Sequence, residues 1–286
     1  MKTVYPSVDL HTCIGCGLCV RVCVARAIDP DSMRISQARC IRCSHCSAVC
    51  PTAAVRWPMA DGKTACGEAL QPLTGDTARE LETVIKRRRS MRHYTGEILP
   101  QSMIDRIVDV TNHAPTGTNS RGVAITVVND PRTMQEVSDI AMRYFRRLAT
   151  LILNPLTVPF ILLFAGRRRL RRLRGYRRQI DRYFGGHNIL THGAPALFVF
   201  SADRRSSCPS EDALIWATTA NLYAESLGLG TCYNGFLVRA ARMHRPLRRR
   251  LGLPEGHTVF ETFTAGYPAV AYQRAAYRDP CVLRVI

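Results

Sequence analysis

Beyond residue 76 the chain alternates between two hydrophobic rhythms. Apolar residues three and four apart, at Leu81, Val84 and Ile85 and again at Ile104, Ile107 and Val108, predict two amphipathic helices. The first starts at Asp76 or Thr77, either able to cap it, with Glu80 placed for a capping box; the second follows Pro100. Short apolar runs at residues 123–128, 196–201 and 259–264 predict strands, and residues 211–227 predict a longer helix. Residues 281–286 read as a terminal strand added to a partner's sheet. A stretch rich in Gly, Pro and Thr over residues 61–76 reads as a linker.

Before that linker the organising feature is cysteine spacing. Cys13, Cys16, Cys19 and Cys23 form one C-x2-C-x2-C-x3-C run, and Cys40, Cys43, Cys46 and Cys50 form another, with Pro51 following. Three thiolates two residues apart wrap three corners of a 4Fe-4S cube from one loop, and the fourth cysteine of each run ligates the other cube. The spacing therefore assigns Cys13, Cys16, Cys19 and Cys50 to one cluster, and Cys40, Cys43, Cys46 and Cys23 to the other. Zinc favours paired C-x2-C units, which this is not. Disulfides need an oxidising compartment. The two halves repeat as strand, cysteine loop and helical turn, with Ile28 and Val55 expected to shield the cubes.

This segment resembles the two-cluster bacterial ferredoxins over about residues 1–60. It departs from them at Val24, where the family usually has proline after the fourth cysteine of the run.

Composition adds a compartment and a charge. The other four cysteines, Cys66, Cys208, Cys232 and Cys281, show no disulfide spacing, and no apolar leader precedes Cys13, so a reducing cytoplasm is expected. The 286 residues carry a net charge of +18. Two oxidised cubes would lower it to about +14. That balance favours an acidic protein partner such as ferredoxin, an anionic membrane surface or nucleic acid. Nucleic acid ranks last, because only Tyr176 and Tyr183 lie near the main arginine run to stack on bases.

Arg88-Arg89-Ser90-x-Arg92-x-Tyr94 and the loop from Ala114 through Pro115, Thr116, Gly117 and Thr118 to Asn119 resemble the two leading signatures of the nitroreductase family of FMN flavoproteins. Leu227-Gly228-Leu229-Gly230-Thr231-Cys232-Tyr233-Asn234-Gly235, Gly266-Tyr267-Pro268, Tyr272-x-Arg274 and Arg278 are similar to its later ones. The resemblance implies an α+β fold: a nitroreductase-like sheet-and-helix domain over 77–286 behind a ferredoxin-like module. It also implies an obligate homodimer with FMN at its interface. Arg88, Arg92 and Arg278 are guanidinium forks suited to the FMN phosphate, with Ser90 as a hydroxyl donor and Arg89 and Arg274 as further basic contacts. The Asn119 loop, with Pro115 and Thr116, is expected at flavin polar edges, often from the partner. The turn of Cys232, Tyr233, Asn234 and Gly235 is expected against the isoalloxazine. Cys232 reads as a packing residue with no base beside it, and no catalytic side chain is assigned.

One insert, over residues 140–190, falls outside the resemblance. Residues 148–166 lack any charge, and arginines flank them on both sides. A single membrane span is rejected, because it would put Arg88 and Asn119 on one side of the bilayer and Asn234 and Arg278 on the other. Pro155 and Pro159 also interrupt a continuous helix. Two compatible readings stay open: a pair of lid helices over the flavin, packed on the dimer partner, and a segment lying on an anionic membrane surface. The expected activity is electron relay from a low-potential donor such as ferredoxin, through two 4Fe-4S clusters, to FMN and a nitroaromatic, quinone or enone-like acceptor. Direct reduction by NAD(P)H stays open, as no separate G-x-G-x-x-G motif is seen. The alternative is a non-catalytic electron-transfer or redox-sensing protein serving a membrane-associated partner.

Overall fold

A computed structural model describes residues 4–286. The chain divides into two compact units between Thr74 and Gly75.

The first unit contains β1 (Ser7–Val8), α1 (Leu18–Val22), α2 (His45–Val49), β2 (Val55–Pro58) and β3 (Thr64–Ala65). Its strands form an antiparallel sheet in the order β1-β2-β3. The internal repeat is visible in the backbone. Gly15 and Arg42, Gly17 and Ser44, and Arg26 and Ala53 all have positive φ, and each pair is 27 residues apart. Glycine adopts that region without steric cost, whereas Arg42 and Ser44 must be held there by their surroundings. Gly17 and Ser44 stand directly before α1 and α2, so the same left-handed kink launches both helices. A small core of Cys19, Ile28 and Val55 joins the halves, with Val8, Val20 and Ile35 packed on it. Strand β3 lies inside the stretch expected to be linker. Gly62, at φ 79, closes a turn in which the Met59 N–H donates to the Lys63 carbonyl at 2.7 Å, and Ala65 pairs with Trp57.

The second unit runs α3 (Thr77–Arg87), α4 (Gln101–Thr111), β4 (Val123–Val128), α5 (Pro131–Ile152), α6 (Val158–Phe184), β5 (Ala196–Asp203), α7 (Pro209–Ser226), β6 (Gly230–Tyr233), α8 (Gly235–Met243), α9 (Arg245–Arg250) and β7 (His257–Gly266). Its sheet is antiparallel throughout, in the order β4-β5-β7-β6. Period-2 alternation on β5 divides two cores. Leu197 and Val199 join Val137, Ala141 and Leu237 from α5 and α8 on one face. Phe198 and Phe200 join Ile107, Ala217 and Phe263 on the other, where α4 and α7 pack. This helix-and-sheet architecture is α+β.

Several expectations change in detail. Asp76 precedes α3, but its backbone is already helical and its carboxylate pairs with Arg79 at 2.7 Å, so its side chain makes no capping hydrogen bond. The apolar stripe of α3 is left open, with Leu81 54% and Ile85 52% exposed. Residues 281–286 form no strand within the chain and are exposed.

The insert folds as a hairpin of α5 and α6. The Asp130 carboxylate caps α5 by accepting from the Thr133 N–H at 2.7 Å, and Pro131 takes the first helical position. Tyr183 donates to Asp139 at 2.6 Å, and Arg177 donates to Thr150 at 3.0 Å. The two helices are therefore antiparallel. None of the described helices is long and apolar enough to cross a membrane.

Phe263 is fully buried, with Phe198 stacked on it at 5.0 Å and Phe200 at 5.6 Å. Phe263→Ala is expected to cost about 3–5 kcal/mol in denaturant unfolding. A loss under about 1 kcal/mol would mean that this ring stack does not hold the sheet to α7.

Candidate functional site

Two small cavities lie in the first unit. Cys13, Cys16, Cys19 and Cys50 border one. Cys23, Cys40, Cys43 and Cys46 border the other. The structure thus brings the eight cysteines together in the crossed sets expected from their spacing. The crossing has a local cause. Cys23 and Cys50 end α1 and α2 with extended backbone, so each leaves its own helix, and the packed helices deliver it to the other loop.

The thiols are prepared unevenly. The Ala27 N–H donates to Cys23 Sγ at 3.2 Å, and the Ala54 N–H donates to Cys50 Sγ at 3.2 Å. Each donor follows a left-handed residue, Arg26 or Ala53. The Arg42 N–H donates to Cys40 Sγ at 3.4 Å. Such amide donors are the hydrogen bonds to sulfur that tune an iron–sulfur cluster. Burial pushes the Cys46 thiol up to about 11, and it raises Cys19 as well. At Cys50 burial also pulls upward, but bonds from the Thr52 hydroxyl and the Ala54 N–H outweigh it and hold the thiol below its ordinary value.

These residues fit an iron–sulfur cluster better than a single ion. Among the described residues, no three His, Cys, Asp or Glu side chains converge as a mononuclear metal site requires. Tetrahedral zinc, with bonds of about 2.3 Å to sulfur, needs that convergence. A cube carrying one thiolate at each iron does not.

In the second unit, the segment after α3 is pinned to the sheet edge. Ser90 bridges to Thr231 on β6, and the Met91 N–H donates to the Thr231 carbonyl at 2.8 Å. The Tyr94 hydroxyl bonds the Met91 carbonyl at 3.0 Å and Thr264 Oγ1 at 3.1 Å. Two glycines permit this approach. A Cβ on Gly230 would lie 2.6 Å from Met91 Cγ, and one on Gly266 would lie 2.5 Å from Pro195 Cδ. The result is a cluster of Arg88, Ser90 and Arg92 around Cys232. Burial raises the Cys232 thiol, while Arg92, the Ser90 hydroxyl and Arg88 pull it down. Two guanidinium forks and a hydroxyl are the donor set a phosphate dianion takes.

The turn after β6 is built by Asn234. Its Nδ2 donates to the Leu190 carbonyl, and its Oδ1 accepts from the Leu237 N–H at 3.1 Å, capping α8. The first amides of a helix have no acceptor within it. Asn234 takes that of Leu237, and Gly235 adds no side chain to cover the others; a Cβ there would meet nothing within 4 Å. Tyr233 packs edge-on against Phe263 at 6.0 Å, and its hydroxyl donates to Thr218 at 3.4 Å.

His192 belongs to this neighbourhood and was missed in the sequence. It lies in a left-handed turn ahead of β5. Burial lowers its pKa, and so do the charges of Arg92 and His93. A lone histidine in a short polar turn has no spacing to reveal it.

The other expected residues lie elsewhere. The loop of Pro115, Thr116 and Asn119 is tied to the start of α7. Asp212 accepts from the Gly117 N–H at 2.7 Å and from the Ser120 hydroxyl at 3.3 Å. Arg88 lies at the far end of the same helix, where it and Arg87 act on the half-buried Glu225. α7 has 18 residues, about 27 Å of helix. One chain therefore does not unite the two halves of the expected flavin site. Arg89 is half-buried in the pinned segment. Arg274 and Arg278 stay on an exposed tail beyond β7, where Arg278 donates to the neighbouring Tyr277 carbonyl at 3.5 Å.

A further cavity of about 490 Å³ lies between α5, α6 and the start of α8, and reaches Gly235 and Phe236.

Residues 85–267 match the nitroreductase family model. The chain belongs to the nitroreductase family. Residues 12–54 match the model of a 4Fe-4S dicluster domain, so this nitroreductase-family chain joins an oxidoreductase domain to an iron–sulfur domain. No curated protein matches it. Among solved structures it is similar to a nitroreductase with bound FMN from Bacteroides fragilis, at 20% identity and TM-score 0.55, covering 72% of this chain and 99% of that one. It is also similar to an FMN-dependent nitroreductase from Clostridium difficile, at 20% identity and TM-score 0.53, covering 73% and 100%. At these identities the likeness is one of fold.

His192, held below the ordinary histidine range, stays neutral where an unfolded histidine takes a proton. It therefore stabilises the fold above pH of about 6.5 and withdraws that stability as pH falls below it. An anion bound at Arg92 offsets part of the positive field and should raise the His192 pKa. Histidine NMR titrations with and without inorganic phosphate measure this. An unmoved His192 would place the anion elsewhere.

Proposed function

We propose that the chain is an iron–sulfur flavoprotein oxidoreductase. It takes electrons from a low-potential donor such as ferredoxin, through two 4Fe-4S clusters, to FMN, and passes them to a small nitroaromatic, quinone or enone-type acceptor. The observation that carries this is the pair of crossed cysteine quartets, in the same chain as the Arg88, Ser90 and Arg92 cluster. Cys13, Cys16, Cys19 and Cys50 would hold one cluster, and Cys23, Cys40, Cys43 and Cys46 the other. Bound cofactors supply one-electron steps at the clusters and their conversion to two-electron chemistry at the flavin. Arg88 and Arg92 would grip the FMN phosphate with Ser90. Gly235 would leave helix amides open toward the isoalloxazine, and Cys232 would pack beneath it. The FMN named for the solved relatives agrees with this reading. The net charge of +18 suits an acidic donor in a reducing cytoplasm and a peripheral contact with anionic lipid.

The working unit in this reading is a homodimer. The 115–119 loop and the Arg88 segment stand at opposite ends of α7, and a second copy packed across a two-fold axis would unite them. The open faces support it: Leu81 and Ile85 on α3 and Leu214 and Ile215 on α7 lack cover within the chain.

Iron, sulfide and flavin analysis of anaerobically purified protein should give about eight iron, eight sulfide and one FMN per chain. Reduced ferredoxin should bleach both chromophores, and NADH and NADPH should not. Flavin reduced by NAD(P)H while the clusters stay oxidised would reverse the proposed direction of flow. Cofactors present without turnover of any small acceptor would favour the electron-transfer or sensing role.

The dimer has its own test. Arg92→Ala and Asn119→Ala should each lose flavin. Random mixing makes half of the dimers mixed, each with one intact site, so co-expression should restore about a quarter of wild-type flavin. No recovery would mean that the half-sites do not combine between copies.

A further inference from the structure

The α5–α6 hairpin has a charge pattern that electron relay does not use. Between Asp139 and Asp181 the chain has eleven arginines and no Asp, Glu or Lys. At the tip the charge vanishes, and apolar side chains face outward. Leu156 is 80% exposed, Leu163 76% and Phe164 81%. Gly166, at φ 74 and ψ 169, breaks α6 between this apolar turn and the arginine-bearing remainder, so the tip can lie at its own angle. That backbone is strained for any residue with a side chain.

The cavity of about 490 Å³ runs behind the tip. Ile152 and Leu153 border it toward the tip, and Gly235 and Phe236 border it at the start of α8. Phe236 meets Phe145 edge-on at 5.4 Å and Tyr176 at 5.7 Å, which gives aromatic walls. Arg169, Arg172 and Arg239 also border it, and Arg172 Nε donates to the Tyr176 hydroxyl at 2.8 Å.

We propose that the hairpin tip seats in the surface of an anionic lipid bilayer and that the cavity behind it takes the acceptor from the lipid. An exposed apolar turn with a collar of arginines is the composition of an interfacial element, apolar groups among acyl chains and guanidinium groups on headgroup phosphates. A second copy is a poor occupant, because the proposed two-fold packing uses the open faces of α3 and α7, whereas this tip belongs to α5 and α6, whose arginines suit an anionic surface. The acceptor class follows from the lining: an aliphatic or ring body for the apolar walls, with an electron-rich oxygen for the arginines. This assignment rests on the reading of the Gly235 turn as the flavin face.

Flotation of the holo-protein with phosphatidylglycerol and with phosphatidylcholine vesicles tests the docking. Binding to phosphatidylglycerol alone is expected, falling about tenfold between low and high salt as the surface charge is screened. Leu163→Asp with Phe164→Asp should weaken it at least about tenfold, with flavin and iron content and sedimentation unchanged. Binding to neither vesicle, or binding untouched by the double variant, overturns the docking. A double variant that dissociates into monomers makes a second copy the occupant and also overturns it.

Equilibrium dialysis with a benzoquinone bearing a decyl chain, against the chainless compound, tests the cavity. The chain should tighten binding at least about tenfold. Ala149→Trp, which fills the cavity, should remove that gain while leaving vesicle binding intact. Leu153→Trp serves in its place where Ala149→Trp loses flavin. Equal affinity for the two quinones overturns the lipid-borne acceptor. These are binding readouts on flavin-loaded protein, so their failure leaves the flavoprotein reading standing. Absence of flavin and iron from the purified chain would sink that reading instead.

Discussion

Asp212 and Asn221 are both buried on α7, at 2% and 1% exposure, and each holds a segment of the proposed flavin site. Asp212 accepts from Gly117 and Ser120 and so fixes the 115–119 loop. Asn221 Nδ2 donates to Thr231 Oγ1 at 2.7 Å and so fixes β6, whose Thr231 carbonyl in turn holds Met91. Such bonds offset the cost of burying a carboxylate or an amide, although Asn221 Oδ1 has no partner among the described residues. The polar segments of the second unit thus hang from one helix, and the helix sets how far apart they stand.

The cluster unit depends on a different constraint. Two loops with the same kinks are each completed by a cysteine from the other, and the small core of Cys19, Ile28 and Val55 lies between them. The repeat is imperfect where it matters most for strain. The first loop uses Gly15 and Gly17, and the second places Arg42 and Ser44 in the same backbone region. The amide donors to sulfur survive in both halves, at Ala27 and Ala54, because they depend on backbone position and not on side-chain identity.

Most of the fold could be read from local periodicity. The apolar runs at residues 196–201 and 259–264 foretold strands that the structure extends to Ala196–Asp203 and His257–Gly266. The grouping of the cysteines around two cavities was legible because their spacing is itself local. Longer-range arrangement was not. The Arg88 and Asn119 motifs resemble parts of one site, yet nothing in their sequence reports that α7 separates them. His192 escaped because its neighbours, Arg92 and His93, approach it only through the folded sheet edge. The Asp76 cap failed because Arg79, three residues on, competed for the carboxylate.

The spacing of the two buried anchors on α7 also restricts how this domain can change length. Nine residues separate Asp212 from Asn221, about two and a half helical turns, so the anchors point from opposite sides of the helix. Inserting one residue between them would swing one anchor by about 100° relative to the other. One loop or the other would then lose its bond to the interior. The register of this short helical interval is therefore fixed by the two loops it holds.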